Sequence, residues 1–513
     1  MRWRWGLALG ALAVAGAVAW SIRRPASRPN VVFIVWDTVR ADHLSLYGHG
    51  RATTPRLDAW ARDAVVFDRA RSPGIWTLPS HASMFTGNPV PSTGADERWM
   101  WLDGAQLTLA EVLKGAGYAT FSFAANALLC KETQLTQGFD VVTNSYRGRL
   151  AALAARNTRS KLLPADASHE LAPLWRPPAH GATNSEWARA AYKEAAPLGV
   201  EATLRWIDRQ DGPFFAFLNL MEAHTPRLPS VESRRALFDA DLHGRALTTD
   251  ASHIRLHFAN FGKDFPETDE LEAIRAVYDA ALRDLDVATG ALIDGLEARG
   301  LLEDTIVVLT ADHGEQLGEH GRFNHRFSLY DTLVHVPLVV RYPAAMAPGR
   351  VGHPVSTTDI FATVLDLAGV PSPPVMARSL RDAADRGVVT FLDRPLEREV
   401  ASVRGVHPDI DPAPWLREGT AVALGDEVWI HHSDGSDQVY DVAADPVQER
   451  NLAADGVPEH LRQVLATWRA ELPPYDPSRR GPADDPKAVR ASQEELRAEL
   501  EALGYASEDA SKD

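Results

Sequence analysis

The sequence predicts an α/β fold: a mostly parallel central sheet flanked by helices, with a small α+β subdomain near the C-terminus. Short apolar runs such as "NVVFIVW", "PFFAFLNL" and "TIVVLTA" are typical of buried parallel strands. These runs alternate with segments of helical periodicity, the longest of which covers residues 270–300 and ends at Gly300. Strands that alternate with helices favour a sheet covered by helices on both faces.

The composition narrows the class of protein. The chain has 513 residues, of which 45% are hydrophobic and 24% charged, so it is long enough for one large folded domain with an appendage. The formal net charge of −16 argues against binding to nucleic acid. Cys130 is the only cysteine, which excludes an intrachain disulfide and a cysteine-based zinc site.

The first 24 residues have the pattern of an export segment. Two arginines precede an uncharged apolar run from Trp5 to Ile22, and two further arginines follow it. This length and these flanks are typical of a signal peptide or a short membrane anchor. We therefore predict an exported protein that is periplasmic or extracellular, or held at the membrane if the segment is not cleaved.

Changes in composition divide the rest of the chain. They predict an α/β domain over residues 29–375, a C-terminal subdomain over residues 376–475 and a charged helical tail over residues 476–513. Residues 147–210 are rich in alanine and arginine and are predicted to form a helical insertion, and residues 425–452 are predicted to form hairpin strands and a turn.

Polar residues follow several of the predicted strands. Asp37, Glu222, His224, Asp312 and His313 all fall at strand ends. In parallel sheets such ends meet at one edge, where functional groups collect. Carboxylates combined with an imidazole suit Zn²⁺ or Mn²⁺ and, less typically, Mg²⁺ or Ca²⁺. The tripeptide Asp-His-Gly at 312–314 taken alone fits a capped loop equally well.

The segment "WTLPSHASMFTG", residues 76–87, predicts a helix that is capped by Thr77 and ends at Gly87. A nearby cation and the helix dipole would both ease deprotonation of the Thr77 hydroxyl, so we predict that Thr77 is a nucleophile and the fourth metal ligand. Phosphate or sulfate oxygens would bind the backbone N–H groups of the same helix start. His81, four residues on, would face the same side of the helix and either donate to the transferred group or orient the reactive oxygen.

Four segments, in order, carry a resemblance to a known family. They are "NVVFIVWDTVRADHLSLYGHGRATTPRLDAWARDAVVF", "TLPSHASMFTG", "LTADHGEQLGEHG" and "QVYDVAADPVQERNL". The chain resembles the sulfatase family of the alkaline-phosphatase superfamily from about residue 29 to residue 452. The resemblance implies that one divalent cation is bound by Asp37, Asp312 and His313, that position 77 carries the nucleophile, and that His224 and His325 contact the anionic group of an ester substrate.

The chain departs from the family pattern in three places. Thr77 stands where sulfatases have the cysteine or serine that matures to formylglycine, and Thr38 stands where a second aspartate is usual. The family's Gly-Lys-x-His segment is Ala-Ala-Asn-Ala here, residues 124–127, which removes two cationic contacts. Arg40 and Asn126 are further candidates for contact with the substrate.

These departures bear on the chemistry. A threonine ester has to be cleaved by attack at its central atom, as in superfamily members that act at phosphorus. We therefore expect a metal-dependent hydrolase or transferase with a threonine nucleophile, acting on phosphodiester or phosphonate-type substrates. A sulfatase that works without formylglycine and a catalytically silent, membrane-tethered binding protein are the alternatives.

Overall fold

The computed structural model describes residues 28–146, 195–382, 384–395 and 398–476. The predicted export segment, residues 147–194 of the predicted insertion and residues 477–513 of the predicted tail lie outside the described residues. Among the helices that the structure describes, none combines the length and the apolar character that a membrane span requires.

An eight-stranded sheet forms the centre of the molecule. Its strands are β1 (Asn30–Trp36), β2 (Val65–Arg71), β3 (Ala119–Ala124), β4 (Val141–Asn144), β5 (Phe214–Leu220), β6 (Thr305–Ala311), β9 (Leu338–Arg341) and β10 (Gly349–Ser356). They lie in the order β10-β2-β9-β6-β1-β5-β3-β4. All neighbours are parallel except β9, which runs antiparallel to both β2 and β6. The predicted mostly parallel sheet is confirmed.

Three central strands bring the polar strand ends together. β1 pairs in parallel with β5 on one side and β6 on the other, and Trp36 is aligned with both Leu220 and Ala311. These strands are almost entirely buried, because their aliphatic and aromatic side chains pack on both faces of the sheet. The residues that follow Trp36, Leu220 and Ala311 therefore emerge at the same edge of the sheet.

Helices pack around this sheet and around a smaller C-terminal sheet, which the last helix covers. They are α1 (Pro55–Trp60), α2 (Thr77–Thr86), α3 (Val90–Thr93), α4 (Leu109–Gly115), α5 (Ala196–Ile207), α6 (Val231–Leu237), α7 (Ala240–Thr248), α8 (His253–Ala259), α9 (Thr268–Ala298), α10 (Asp331–Val334), α11 (Ile360–Leu367), α12 (Arg398–Val406) and α13 (Glu459–Glu471).

Helix α2 is buried along its whole length. It ends, as predicted, at Gly87, whose φ of 69° is left-handed and suits a glycine. Its predicted start is wrong by one residue. Trp76 is the N-cap and makes no side-chain capping bond, so Thr77 is the first helical residue instead of the cap. The Thr77 hydroxyl instead accepts a hydrogen bond from Asn126, which is described below.

Helix α9, the longest that the structure describes, anchors the chain that follows β1. The Tyr278 hydroxyl donates to the carbonyl oxygen of Thr38 at 2.7 Å. Further along the helix, the Asp286 carboxylate accepts the backbone N–H groups of Arg56 at 3.0 Å and Leu57 at 2.7 Å. The helix therefore fixes the first residues beyond β1 and also the start of α1.

Two smaller sheets complete the structure. β7 (Gln316–Leu317) and β8 (Phe323–Asn324) form a short hairpin, and the C-terminal region has an antiparallel sheet of β11 (Val388–Leu392), β12 (Gly419–Leu424), β13 (Glu427–His432) and β14 (Asp437–Asp441). β13 and β14 form the predicted hairpin. The N–H of Phe391 donates to the carbonyl of Pro73 at 2.9 Å, which ties this sheet to the chain just before α2. The domain boundary at residue 375 stays a prediction.

Candidate active site

Three predicted metal ligands meet at the edge of the sheet. Asp37 follows β1, and Asp312 and His313 follow β6; one ligand atom from each lies within 4.8 Å of the other two. Asp37 Oδ1, Asp312 Oδ2 and His313 Nε2 are buried and have no hydrogen-bond partner. His313 Nδ1 lies 2.9 Å from the carbonyl oxygen of Gly314, which leaves Nε2 for a cation. Two hard carboxylates and one imidazole fit a divalent cation such as Zn²⁺, Mn²⁺ or Mg²⁺.

The pKa shifts of these three residues are consistent with a bound divalent cation. Burial, and then the charge of Asp312, raise the pKa of Asp37 to about 7. Burial raises the pKa of Asp312 to about 7 as well, and burial lowers the pKa of His313 to about 4. Protein groups alone therefore do not stabilise two ionised carboxylates here, whereas a divalent cation would.

Thr77 lies beside these carboxylates, within a network of amides. Asn126 Nδ2 donates to Thr77 Oγ1 at 3.1 Å and to Asp37 Oδ2 at 2.8 Å. The Thr77 hydroxyl also lies near enough to the Asp312 carboxylate to oppose the effect of burial on the pKa of Asp312. The amide of Asn126 therefore links the hydroxyl to the Asp37 carboxylate.

Asn219 orients Asn126. Its Oδ1 accepts the backbone N–H of Asn126 at 2.9 Å, and its Nδ2 donates to Asp37 Oδ2 at 3.1 Å. Asn219 was not among the predicted site residues, although a single amide within the otherwise apolar β5 is a signal that could have identified it. Asn126, one of two further candidates for substrate contact, lies in the site.

Thr38 links the ends of β1 and β6. Its backbone N–H donates to Asp312 Oδ1 at 3.2 Å, and its φ is 61°. A β-branched residue in the left-handed region is strained, and such strain persists only where the surrounding contacts fix it. One of those contacts is the hydrogen bond from Tyr278 in α9.

His81 lies one turn after Thr77 in helix α2 and is surrounded by aromatic side chains. Its ring is fully buried, with ring centroids 5.7 Å from Phe85 and 6.0 Å from Phe217. Its Nδ1 lies 2.8 Å from the carbonyl oxygen of Thr77 and 3.7 Å from Asp312 Oδ2. Burial lowers the pKa of His81 to about 3, so the imidazole is neutral at pH 7. This geometry favours the orienting role over proton donation to a substrate.

His224 and His325 lie on the His313 side of the site. The His325 ring centroid is 4.5 Å from that of His313 and 5.3 Å from that of His224. Glu315, which the sequence analysis also missed, lies 3.2 Å from His325 Nδ1 and accepts a hydrogen bond from Arg227 at 2.6 Å. The structure thus brings both predicted substrate-contacting histidines to the candidate metal centre.

Two other candidates are engaged elsewhere. Arg40 is buried and forms ion pairs with Asp42 at 2.7 Å and with Glu319 at 2.9 Å. Glu222 Oε1 accepts the backbone N–H of Ala196 at 2.7 Å and so holds the start of α5. These contacts indicate that Arg40 and Glu222 stabilise the fold.

His43, His49 and Asp279 are a second set whose ligand atoms lie within 4.8 Å of one another. Here the Arg51 guanidinium donates to Asp279 Oδ2 at 2.8 Å, and His49 Nε2 lies 3.1 Å from the same oxygen. A fixed guanidinium charge at the carboxylate opposes a metal cation. We therefore interpret this set as an ion-pair cluster.

Comparison with known proteins identifies the family to which the chain belongs. The family model for sulfatases matches residues 29–370. An ulvan-active sulfatase from Formosa agariphila is 26% identical over 451 residues, which are 86% of this chain and 80% of the relative. Human arylsulfatase A is 28% identical over 387 residues, 71% of this chain and 68% of the relative. The chain therefore belongs to the sulfatase family.

A solved structure supports the same fold. The phosphonate monoester hydrolase of Agrobacterium radiobacter aligns with a TM-score of 0.66 and 22% identity, covering 87% of this chain and 96% of that one. With the family established, the chain is a hydrolase that acts on sulfuric or phosphoric esters.

Proposed function

We propose that the protein is a metal-dependent ester hydrolase or transferase that uses Thr77 as its nucleophile on phosphodiester or phosphonate-type substrates. The observation that carries the proposal is the position of the Thr77 hydroxyl. It lies at the first turn of a buried helix, where it accepts a hydrogen bond from Asn126 and opposes the rise in the pKa of the candidate metal ligand Asp312. Geometry of this kind holds a nucleophile in place before substrate arrives.

In this proposal Asp37, Thr77, Asp312 and His313 hold one divalent cation, which is Zn²⁺, Mn²⁺, Mg²⁺ or Ca²⁺. When bound, the cation lowers the pKa of an adjacent hydroxyl and offsets negative charge on the ester oxygens. The two raised carboxyl pKa values and the unpartnered Asp37 Oδ1, Asp312 Oδ2 and His313 Nε2 support this ligand set.

The covalent step is attack by Thr77 Oγ1 on phosphorus, in line with the leaving alcohol. Thr77 attacks as the alkoxide after its hydroxyl proton has been released to solvent, a bond forms between Oγ1 and phosphorus, and the bond from phosphorus to the leaving oxygen breaks. Water or an alcohol then attacks phosphorus, which breaks the bond between Oγ1 and phosphorus and restores Thr77. Backbone N–H groups at the start of α2 stabilise charge on the nonbridging oxygens. His224 or His325 protonates the leaving oxygen or activates the second acceptor, which is water or an alcohol.

The charges around the site support a substrate with one negative charge. Two guanidinium groups that hydrogen-bond Glu315 are already paired, Arg40 with Asp42 and Glu319 and Arg227 with Glu315 itself. Asn126 and Asn219 contribute neutral amides beside the nucleophile. A phosphodiester carries one negative charge and needs less cationic compensation than a phosphate monoester.

A sulfatase that works without formylglycine is the second candidate, and the curated relatives named above favour it because both are sulfatases. Purified, metal-loaded protein should be compared on 4-nitrophenyl methyl phosphate and 4-nitrophenyl sulfate. Turnover of the phosphodiester, together with a mass adduct of one methyl phosphoryl group on the peptide containing Thr77, is the expected result. Turnover of the sulfate alone would replace the proposal by the second candidate, and turnover of neither ester would favour a binding protein.

We also propose that the protein is exported, because the apolar run from Trp5 to Ile22 is flanked by arginines. A reporter fused after Asp513 should be active outside the cytoplasm. Cytoplasmic activity alone would contradict export.

A further inference from the structure

The Asp37 carboxylate has one oxygen that is held by two side-chain amides. Asn126 Nδ2 donates to Asp37 Oδ2 at 2.8 Å, and Asn219 Nδ2 donates to the same oxygen at 3.1 Å. A carboxylate oxygen has about two acceptor positions, so these two bonds fill both positions of Oδ2. The other oxygen, Oδ1, is buried and has no hydrogen-bond partner. Asp37 therefore has one oxygen left to offer a cation.

The Asp312 carboxylate is divided in the same way. The backbone N–H groups of His313, at 2.9 Å, and Thr38, at 3.2 Å, both donate to Asp312 Oδ1. Asp312 Oδ2 is buried without a hydrogen-bond partner and lies 3.4 Å from His313 Nε2, which is also buried and unpartnered. Each of the two carboxylates thus has one oxygen bound by two N–H groups and leaves the other for a cation.

The two amides that hold Asp37 are themselves fixed. Asn126 and Asn219 are both fully buried. Asn219 Oδ1 accepts the backbone N–H of Asn126 at 2.9 Å, and Asn126 Oδ1 accepts the backbone N–H of Leu128 at 2.9 Å. Neither amide can turn away from Asp37 without losing bonds at both of its ends, and lost hydrogen bonds are costly for buried groups. A cation that needs both oxygens of Asp37 would have to break this arrangement.

The other possible ligands also favour a small coordination number. Among the residues that the structure describes, the set around Asp37 has one further carboxylate, that of Asp312, and one imidazole, that of His313. The Thr38 hydroxyl, next to Asp37, donates to the carbonyl oxygen of Asp37 at 2.7 Å. Ca²⁺ takes about six to eight oxygen ligands and often binds both oxygens of a carboxylate, whereas Zn²⁺ is usually bound by about four ligands that include nitrogen. An imidazole with carboxylates that each offer one oxygen suits Zn²⁺.

We propose that Asn126 and Asn219 restrict Asp37 to one coordinating oxygen and that the site thereby selects Zn²⁺ over Ca²⁺. Asn219 is a positioning residue, since it acts on the cation through Asp37. The inference rests on the metal ligands of the proposed function and adds the identity of the cation and the residues that determine it.

The test measures cation binding to the metal-free full chain. Zn²⁺ is titrated in competition with a chromophoric chelator, and Ca²⁺ is titrated by calorimetry. We expect the Kd of the parent protein for Zn²⁺ to be at least about a thousand-fold lower than that for Ca²⁺. Asn219→Ala should weaken Zn²⁺ binding by about ten-fold or more. Its Ca²⁺ binding should stay equal or improve, because Asp37 Oδ2 becomes available.

Asn260→Ala is the matched control. Asn260 is a buried amide that also makes two hydrogen bonds, from Nδ2 to the carbonyl oxygen of Leu256 at 3.2 Å and from the backbone N–H of Phe323 to Oδ1 at 2.8 Å. The control should keep the parental ratio of the two Kd values. A purely structural role of Asn219 would weaken the binding of both cations equally, so an unchanged ratio in a folded Asn219→Ala protein would overturn the inference.

The parent protein gives an independent readout if Asn219→Ala does not fold. X-ray absorption at the zinc edge should show about four or five nitrogen and oxygen ligands in the Zn²⁺-loaded protein. Equal Kd values for Zn²⁺ and Ca²⁺, or about six or more ligands around zinc, would overturn the inference. A parent protein that binds neither cation would refute the ligand set of the proposed function, whereas a preference for Ca²⁺ together with turnover of 4-nitrophenyl methyl phosphate would refute only the selectivity.

Discussion

Asn126 offers a sharp test of the site, because one amide group joins the proposed nucleophile to a proposed metal ligand. Asn126→Ala removes the hydrogen bond to Thr77 Oγ1 and the hydrogen bond to the Asp37 carboxylate. A neutral hydrogen bond contributes about 1 kcal/mol and one to a charged group about 2 kcal/mol, so the loss is about 3 kcal/mol. If both bonds are needed in the transition state, kcat/KM falls by about a hundred-fold.

The assay is turnover of 4-nitrophenyl methyl phosphate at saturating metal, with metal content and Tm measured on the same samples. Asn88→Ala is the matched control, since Asn88 is a half-buried amide whose Oδ1 accepts only a 3.4 Å backbone contact from Met376. The kcat/KM of the control variant should stay within about two-fold of that of the parent protein. A folded, metal-loaded Asn126→Ala protein with parental kcat/KM would refute the assignment of Asn126 as a positioning residue.

Four further outcomes are expected. Thr77→Ala should lose nearly all turnover while keeping its Tm, and Thr77→Ser should retain part of it; parental activity in Thr77→Ala would exclude Thr77 as the nucleophile. Asp312→Ala should lose the bound cation, so full metal occupancy by elemental analysis would contradict the ligand set. Because the folded, metal-free protein holds the pKa of Asp37 and Asp312 near 7, against about 4 when unfolded, the contribution of these two carboxyls to its free energy of unfolding should fall as pH rises from 4 to 7. Added metal should therefore raise Tm more at pH 8 than at pH 5. Equal increases in Tm at the two pH values would contradict the raised pKa values of these carboxyls. Asp286→Ala should lower the free energy of unfolding by about 2 kcal/mol in urea titrations because two backbone N–H groups lose their acceptor, whereas Asp294→Ala, at an exposed ion pair, should change it by less than about 1 kcal/mol.

Much of the fold followed from local patterns. The apolar runs of β1, β5 and β6 identify buried strands, and the polar residues after them mark the edge where the site forms. The direction of β9 did not follow, because a short apolar strand has the same sequence pattern in either orientation. Its direction depends on the path of the chain between strands.

The candidate site was predictable to the extent that its residues lie at strand ends. Asn219 and Glu315 were missed because their roles arise from contacts across the fold: Asn219 orients an amide 93 positions away in the chain. Thr77 was predicted to be a helix cap because a threonine before a helical segment usually is one. In the structure its oxygen accepts a hydrogen bond from Asn126, and no local pattern encodes that contact.

The anchoring of the loops after β1 by helix α9 has a consequence for the order of folding. Tyr278 reaches back 240 positions to Thr38, and Asp286 reaches back 230 positions to Arg56. Contacts that close such long loops form late, because the chain loses much conformational freedom before any of them can stabilise it. During synthesis, Tyr278 has to leave the ribosome before its hydroxyl can hold the peptide at Thr38 in its left-handed form. A nascent chain that ends before α9 would therefore lack the hydrogen bond that fixes Thr38, the residue after Asp37. Cation binding would then follow only after most of the polypeptide has been made.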